Sequence, residues 1–240
     1  MKWSSWVDNR LQNIQSALLP WHCLLCGAPG ADGMDLCPSC YSALPWNRTA
    51  CLRCATPLSG SQGLVCGYCL RKPPAFDASL TPLRYQAPVD WLIQAFKFNQ
   101  RLPQGRLLGQ LLARYLAGQV DELPELIVPV PLHSQRLRER GYNQALELAR
   151  PLARQLGLVC APDLVRRTRA TAIQSLLAAR QRRQNVRGAF ELLRPLSARH
   201  VAIVDDVIAT GSTVGELARV LRRGGAERIE VWAVAHAIGN

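Results

Sequence analysis

The run VAIVDDVIATGST, residues 201–213, decides the fold. Val201, Ala202, Ile203 and Val204 form a short unbroken apolar run, the pattern of a strand buried on both faces. Two acids follow, Asp205 and Asp206, and then the small-residue loop of Ala209, Thr210, Gly211, Ser212 and Thr213. Helical spacing resumes over residues 214–223 and stops at Gly224 and Gly225, and residues 229–235 read as another strand. Strand, helix, strand in that order predicts an α/β fold, a parallel sheet with helices on both faces. Thr213 and Glu216 have the spacing of a capping box at the helix start.

The same run carries chemistry. Gly211 allows backbone conformations closed to other residues, so N–H groups at a helix start can gather around an anion. The hydroxyls of Thr210, Ser212 and Thr213 add donors for a phosphate, and the helix dipole favours negative charge there. Asp205 and Asp206 cannot both be buried unpaired, which places them at the open C-terminal edge of the sheet or beside partners. The vicinal hydroxyls of a ribose suit them, because each hydroxyl can donate to a carboxylate. A Walker A loop and a dinucleotide fingerprint are both missing. A receiver domain also opens with a strand and an acid pair, but it needs a later Asp, and none of the 34 residues after Asp206 is one. The run resembles the signature of the type I phosphoribosyltransferases. That resemblance implies that Asp205 and Asp206 bind ribose hydroxyls and that Ile208, Ala209, Thr210, Gly211, Ser212 and Thr213 surround the 5-phosphate of phosphoribosyl pyrophosphate, with Mg²⁺ neutralising the pyrophosphate.

Upstream, extended structure is expected over residues 79–85 and 126–130. Helices are expected over residues 89–98, entered by Pro88, over 106–117, and over 143–156 with Pro151 inside. Arg71, Lys72, Pro73 and Pro74 read as a linker. The expected domains are therefore an amphipathic helix in residues 1–20, a cysteine-rich module in 21–75 and the α/β domain in 76–240. The first helix is carried by Trp3, Val7, Leu11, Ile14 and Leu18, a stripe that suits packing on protein better than a membrane surface.

Eight of the nine cysteines form four C-x-x-C pairs: Cys23 with Cys26, Cys37 with Cys40, Cys51 with Cys54, and Cys66 with Cys69. Two such knuckles close one tetrahedral four-thiolate site, so four pairs give two structural Zn²⁺ sites. Sequential pairing gives tandem zinc ribbons, with ten and eleven residues between knuckles, and a cross-braced pairing fits the spacing as well. A ferredoxin cluster would need more tightly consecutive cysteines. Cys160 reads as a buried free thiol and His22 as a bystander. The first 20 residues lack the features of a secretory signal and no stretch is long and apolar enough to span a bilayer, so a reducing, cytoplasmic setting is expected. The formal charge of +12 falls to about +8 when each zinc on four thiolates contributes −2. A basic protein of this kind suits nucleic acid or a phosphate-rich ligand.

Basic residues gather in three runs, residues 95–101, 128–144 and 166–190, the last with seven arginines and no acid. Such a segment repels itself unless a polyanion compensates. Together with the cysteine pairs, these runs resemble the ComF family, also called competence protein F or GntX-like, over nearly the whole chain. The resemblance rests on the cysteine pairs, Lys97, RGYNQ at residues 140–144, Gln174 and Ser175, Arg183 and Asn185 with Phe190, and the acid-rich loop. It implies binding of phosphoribosyl pyrophosphate and a role in DNA uptake or use of external DNA. Lys97 and Arg140 would meet the pyrophosphate, residues 133–140 would form its loop, and residues 166–187 would form a mobile cover.

Two functions follow. The first is a pentosyl glycosyltransferase. The second is a non-catalytic adaptor that holds single-stranded DNA through Arg180, Arg182 and Arg183, with Trp21, Tyr41, Trp46 and Tyr68 as stacking candidates, while the ligand site is retained as a sensor. Competence or other DNA-processing proteins are the expected protein partners of the zinc module.

Overall fold

The computed structural model describes residues 20–60, 65–169 and 186–237. The expected N-terminal helix and Gln174, Ser175, Arg180, Arg182, Arg183 and Asn185 lie outside the described residues.

The chain forms two compact units, dividing after Leu44. In the first, the knuckle of Cys23 and Cys26 turns through Gly27 at φ 77°, and an antiparallel bridge joins His22 to Pro29. Helix α1 (Pro38–Ser42) follows, capped by Cys37, whose sulfur accepts from Cys40 N–H at 3.4 Å. Met34, Leu36 and Leu44 are buried with Cys23 and Cys37, so a handful of side chains and a metal site stand in for a core.

The second unit opens with the same motif. Ala50 bridges Pro57, Ala55 takes the position of Gly27 at φ 57°, and helix α2 (Gly67–Arg71) is capped by Cys66, which accepts from Cys69 N–H at 3.4 Å. This second ribbon is bonded to the sheet that follows. Asn47 Nδ2 donates to Thr81 Oγ1 at 3.1 Å, and Ser79 Oγ donates to Arg53 O at 2.7 Å.

The sheet contains β1 (Ala78–Leu80), β2 (Leu83–Arg84), β3 (Leu126–Pro129), β4 (Val159–Cys160), β7 (His200–Ile208) and β8 (Arg228–His236). Its order is β1-β8-β7-β3-β4, with β2 continuing along β8, and every pairing is parallel. A separate antiparallel pair, β5 (Val165–Arg167) and β6 (Phe190–Leu192), frames the two ends of the arginine-rich segment. The helices are α3 (Val89–Phe98), α4 (Leu102–Ala117), α5 (Ser134–Arg140), α6 (Gln144–Leu156) and α7 (Ser212–Arg223).

Alternation along β7 and β8 sorts the helices between the faces. Val201, Ile203, Ile229 and Val231 join Leu217, Ala218 and Leu221 of α7 in one buried cluster. Ala202, Val204, Trp232 and Val234 alternate with them, and α4 and α6 lie against the strands on that other side. The central strands are therefore apolar on both faces, as a parallel sheet requires.

Several boundaries differ from the sequence reading. The extended run 79–85 is two strands interrupted at Thr81 and Pro82, since Pro82 has no N–H for a ladder. The helix expected from residue 106 starts at Leu102, with Pro103 in its first turn where a missing N–H costs nothing. Strand β7 runs past the apolar residues to Ile208, so Asp205 and Asp206 are strand residues. Cys160 is half-buried on an edge strand whose neighbour Val159 is 63% exposed, not sealed in a core.

Candidate functional site

The loop expected to hold phosphate begins where β7 ends. Gly211 caps α7 at φ 66°, a left-handed conformation that favours glycine. The expected capping box is absent: no side chain caps α7, and Glu216 is committed elsewhere. Its buried carboxylate accepts from Gly188 N–H at 2.8 Å and from Arg219 at 2.6 Å. The loop is ordered instead by Thr210, whose Oγ1 lies 2.8 Å from Ser212 Oγ and accepts from Ser212 N–H at 3.4 Å. Ala209 and Thr210 are exposed at the mouth, so the α7 N-terminus opens on solvent, as an anion site must.

Successive strand residues face opposite ways, and the two acids meet different partners. Asp206 is 6% exposed and pairs with Lys97 of α3 at 2.8 Å. Asp205 is half-buried, and its Oδ1 accepts from Asp206 N–H at 2.9 Å. Burial and the neighbouring charge of Asp206 push the Asp205 carboxyl up to about 7, against the pull of Lys97, the Asp206 N–H and Arg167.

RGYNQ is a device for holding Arg140. Gly141 ends α5 at φ 84°, its N–H donating to Leu137 O at 2.8 Å. Tyr142 donates its hydroxyl to Phe96 O, tying the turn to α3. Asn143 caps α6 by accepting from Ala145 N–H at 3.1 Å while its Nδ2 donates to Val130 O at 3.1 Å. Gln144 is 2% exposed and accepts from Arg140 at 2.6 Å, leaving its Nε2 buried without a partner among the described residues. The Arg140 guanidinium lies 5.2 Å over the Phe98 ring. Burial lowers its pKa, opposed by Asp206 and Asp205, and at so high a value it keeps its charge.

These pieces line one cavity of about 430 Å³ at the C-terminal ends of the parallel strands. Asp205, Asp206, residues 208–213, Lys97 and Arg140, all singled out from sequence, meet there. Two cations on the wall had been placed only within broad runs: Arg136, and Arg167 on β5, whose guanidinium also lies 5.5 Å from the Phe190 ring. Arg167 stands on a paired strand and not in the cover to which it had been assigned. Tyr85 and Gln94 also line the pocket and carried no signal in the sequence, while Phe98 stood only within the run 95–101. The site is thus a pocket that brings together four cations, two acids and the open N-terminus of α7.

The cysteines resolve into Cys23, Cys26, Cys37 and Cys40 in one group and Cys51, Cys54, Cys66 and Cys69 in the other, which settles the pairing as sequential. In each group the sulfurs lie within 4.8 Å of one another, and Cys26–Cys37 and Cys54–Cys66 are 3.7 Å apart. A tetrahedron with metal–sulfur bonds of about 2.3 Å places its sulfurs about 3.8 Å apart, so both quartets fit Zn²⁺. Cys23 is held down to about 6 and Cys51 to about 7; burial opposes both shifts, but three backbone N–H groups on each sulfur outweigh it. His22 is exposed, bonded near Pro20 O at 2.8 Å, and outside the quartet. Of the candidate stacking residues, Tyr68 is 52% exposed, while Trp21, Tyr41 and Trp46 are half-buried.

The double zinc ribbon domain family matches residues 14–70, and the phosphoribosyl transferase domain family matches residues 143–238. A DNA utilization protein YhgH of Escherichia coli O157:H7 is 40% identical over 227 residues, 92% of this chain and 99% of that protein. The chain belongs to the ComF family. Its competence protein F relative from Haemophilus influenzae is 41% identical over 181 residues, covering 72% of this chain and 78% of that one. The Salmonella typhimurium YhgH protein is 37% identical over 227 residues. Among the described residues, no helix of this ComF-like chain is long and apolar enough to cross a membrane.

Proposed function

We propose that this protein binds phosphoribosyl pyrophosphate with Mg²⁺ and transfers or senses its pentosyl group in the service of DNA uptake or use of external DNA, in a reducing, cytoplasmic compartment. The observation that carries the reading is the convergence of the Asp pair, the loop 208–213, Lys97, Arg140 and Arg167 on one pocket. The loop receives the 5-phosphate through backbone N–H groups and the Thr210 and Ser212 hydroxyls. Asp206 keeps Lys97 on Oδ1 and has Oδ2 available for a ribose hydroxyl, because a carboxylate offers about four lone-pair sites. Asp205 accepts the other hydroxyl. Arg140, Arg136 and Arg167 face the pyrophosphate, where negative charge grows as the bond to the ribose breaks. Mg²⁺ would supply further charge neutralisation there.

The relatives' names, DNA utilization protein and competence protein F, support the DNA connection. The segment with Arg180, Arg182 and Arg183 is the contact we propose for single-stranded DNA. Changing all three is expected to weaken DNA affinity and flatten its dependence on salt; unchanged affinity and slope would assign DNA to another surface.

The ligand reading is tested by thermal denaturation with ligands offered separately. Saturation at 100 times Kd gives about 2.7 kcal/mol, which for a chain of this size raises Tm by roughly 5–10 °C. Phosphoribosyl pyrophosphate with Mg²⁺ should stabilise most, ribose 5-phosphate less and inorganic phosphate least. Equal stabilisation by all three would reduce the site to an anion pocket, and none by any would overturn the reading.

A further inference from the structure

The second cysteine quartet is joined to the strand that leads into the phosphate loop by two side chains and a backbone pairing. Cys54 Sγ lies 3.2 Å from Thr56 Oγ1, and that oxygen lies 3.3 Å from His236 Nε2. A thiolate that holds zinc has lone pairs and no proton, so the Thr56 hydroxyl donates to the sulfur. Its own lone pair is then open to the Nε2–H of His236. This fixes the tautomer, with Nδ1 of the buried His236 as the lone-pair nitrogen; Nδ1 has no hydrogen-bond partner among the described residues. A metal-bound sulfur is tuned and oriented by an outer partner of this kind.

The far end of this connection is the base of the phosphate loop. His236 closes β8 and is paired in register with Ile208, the last residue of β7, whose carbonyl accepts from Ala237 N–H at 2.8 Å. The loop 209–213 starts at the next residue. The knuckle is also held to β1 by Ser79 Oγ, which donates to Arg53 O at 2.7 Å, and Asn47 Nδ2 joins Ala55 O of the knuckle, at 2.9 Å, to Thr81 Oγ1 just after β1, at 3.1 Å. Phe76, just before β1, lies 3.8 Å from where a Cβ on Gly211 would stand. A knuckle that only closed its own loop would need none of these bonds.

We propose that the second metal site is a strut for the phosphate loop, and that Thr56 and His236 are the positioning residues that couple zinc occupancy of its quartet to the conformation of residues 208–213. The proposal rests on the reading of that loop as the ligand site for its importance, but not for its test. By linkage, a ligand that orders the loop also tightens zinc retention by the same factor.

The test uses the zinc-loaded full chain as wild type, Thr56→Val and Thr56→Ser, with two readouts that need no ligand: zinc transfer to a chromogenic chelator, and amide hydrogen exchange of peptides spanning 200–217 and 102–117. Thr56→Val is expected to release one of the two zinc equivalents about 10- to 100-fold faster, the size of an outer-partner loss, and to speed exchange in 200–217 while leaving 102–117 unchanged. Thr56→Ser keeps the hydroxyl and should retain both properties. Faster zinc release with unchanged exchange in 200–217 would overturn the proposal, as would faster exchange with unchanged release. If Thr56→Val does not fold, stepwise zinc withdrawal from the wild type decides it, with exchange of peptides spanning 23–40 and 51–69 reporting which quartet has emptied: unchanged exchange in 200–217 after the second quartet has lost its metal rejects the strut, and a rise that accompanies that loss supports it.

Discussion

Changing Asp205 to Asn should make the empty protein more stable while removing its ligand, with a pH signature that identifies the cause. Burial and the charge of Asp206 push the Asp205 carboxyl from an ordinary 3.8 up to about 7. The folded protein therefore holds a proton there that the unfolded chain releases. Between about pH 4 and pH 7 the folded state binds more protons than the unfolded one, so stability falls as pH rises through that window. Asn stands in for the neutral acid and lacks this loss. At about 1.4 kcal/mol per pH unit, the advantage of Asp205→Asn over wild type should grow by about 2 kcal/mol between pH 5.5 and 8 and then level off. Urea unfolding of both proteins across that range, with zinc saturating, measures the difference and cancels whatever the metal sites contribute equally. Asp206→Asn should behave oppositely, because it leaves Lys97 beside a lost partner at 2.8 Å. Removing one member of a buried pair costs about 3–5 kcal/mol; with Lys97 22% exposed, about 1–3 kcal/mol is expected. A pH-independent difference for Asp205→Asn would refute the argument that burial and the charge of Asp206 raise this carboxyl.

Gly211→Ala meets nothing closer than Phe76 at 3.8 Å, so its cost is the left-handed backbone alone, about 1–2 kcal/mol, seen in urea unfolding together with weaker phosphate binding. Glu216→Ala removes the acceptor of Gly188 N–H, worth about 1–3 kcal/mol, and should speed limited proteolysis between residues 169 and 186 more than elsewhere. Arg167→Gln should weaken pyrophosphate binding while leaving the melting temperature of the empty protein within about 2 °C, since its backbone pairing with Phe190 remains; a fall in stability without a fall in affinity would make it a packing residue.

How much of this was legible in the sequence depended on whether a local pattern carried the information. The cysteine spacing required two quartets because metal geometry is local, but the choice between sequential and crossed pairing needed the positions of the sulfurs. The run at residues 201–213 showed strand, acids and loop, yet it suggested that the strand ended before Asp205. An apolar count stops at the first acid, whereas the ladder with β8 continues to Ile208. The Thr213–Glu216 box failed for a similar reason: the spacing was right, but a chain segment 28 positions upstream in sequence supplied Gly188 N–H and took the carboxylate. Lys97 was expected to face pyrophosphate; it lines the pocket and also pairs with Asp206, a tertiary contact that no spacing encodes. Arg167 looked like one of seven arginines in a mobile run until β6 paired with β5 and fixed it on the pocket wall. The bonds from the second ribbon to β1 and β8 were equally hidden, because Asn47, Thr56 and His236 carry no motif.

The central claim is that the pocket holds a phosphorylated ribose. Calorimetric titration of the zinc-loaded protein with phosphoribosyl pyrophosphate and Mg²⁺, beside a variant with Asp205 and Asp206 both changed to Asn, tests it most directly. Saturable one-site binding by the parent, lost in the variant while its fold and zinc content persist, is the predicted result. A folded, zinc-loaded parent that gives no heat of binding across the titration, or a variant that binds as well as the parent, would contradict it.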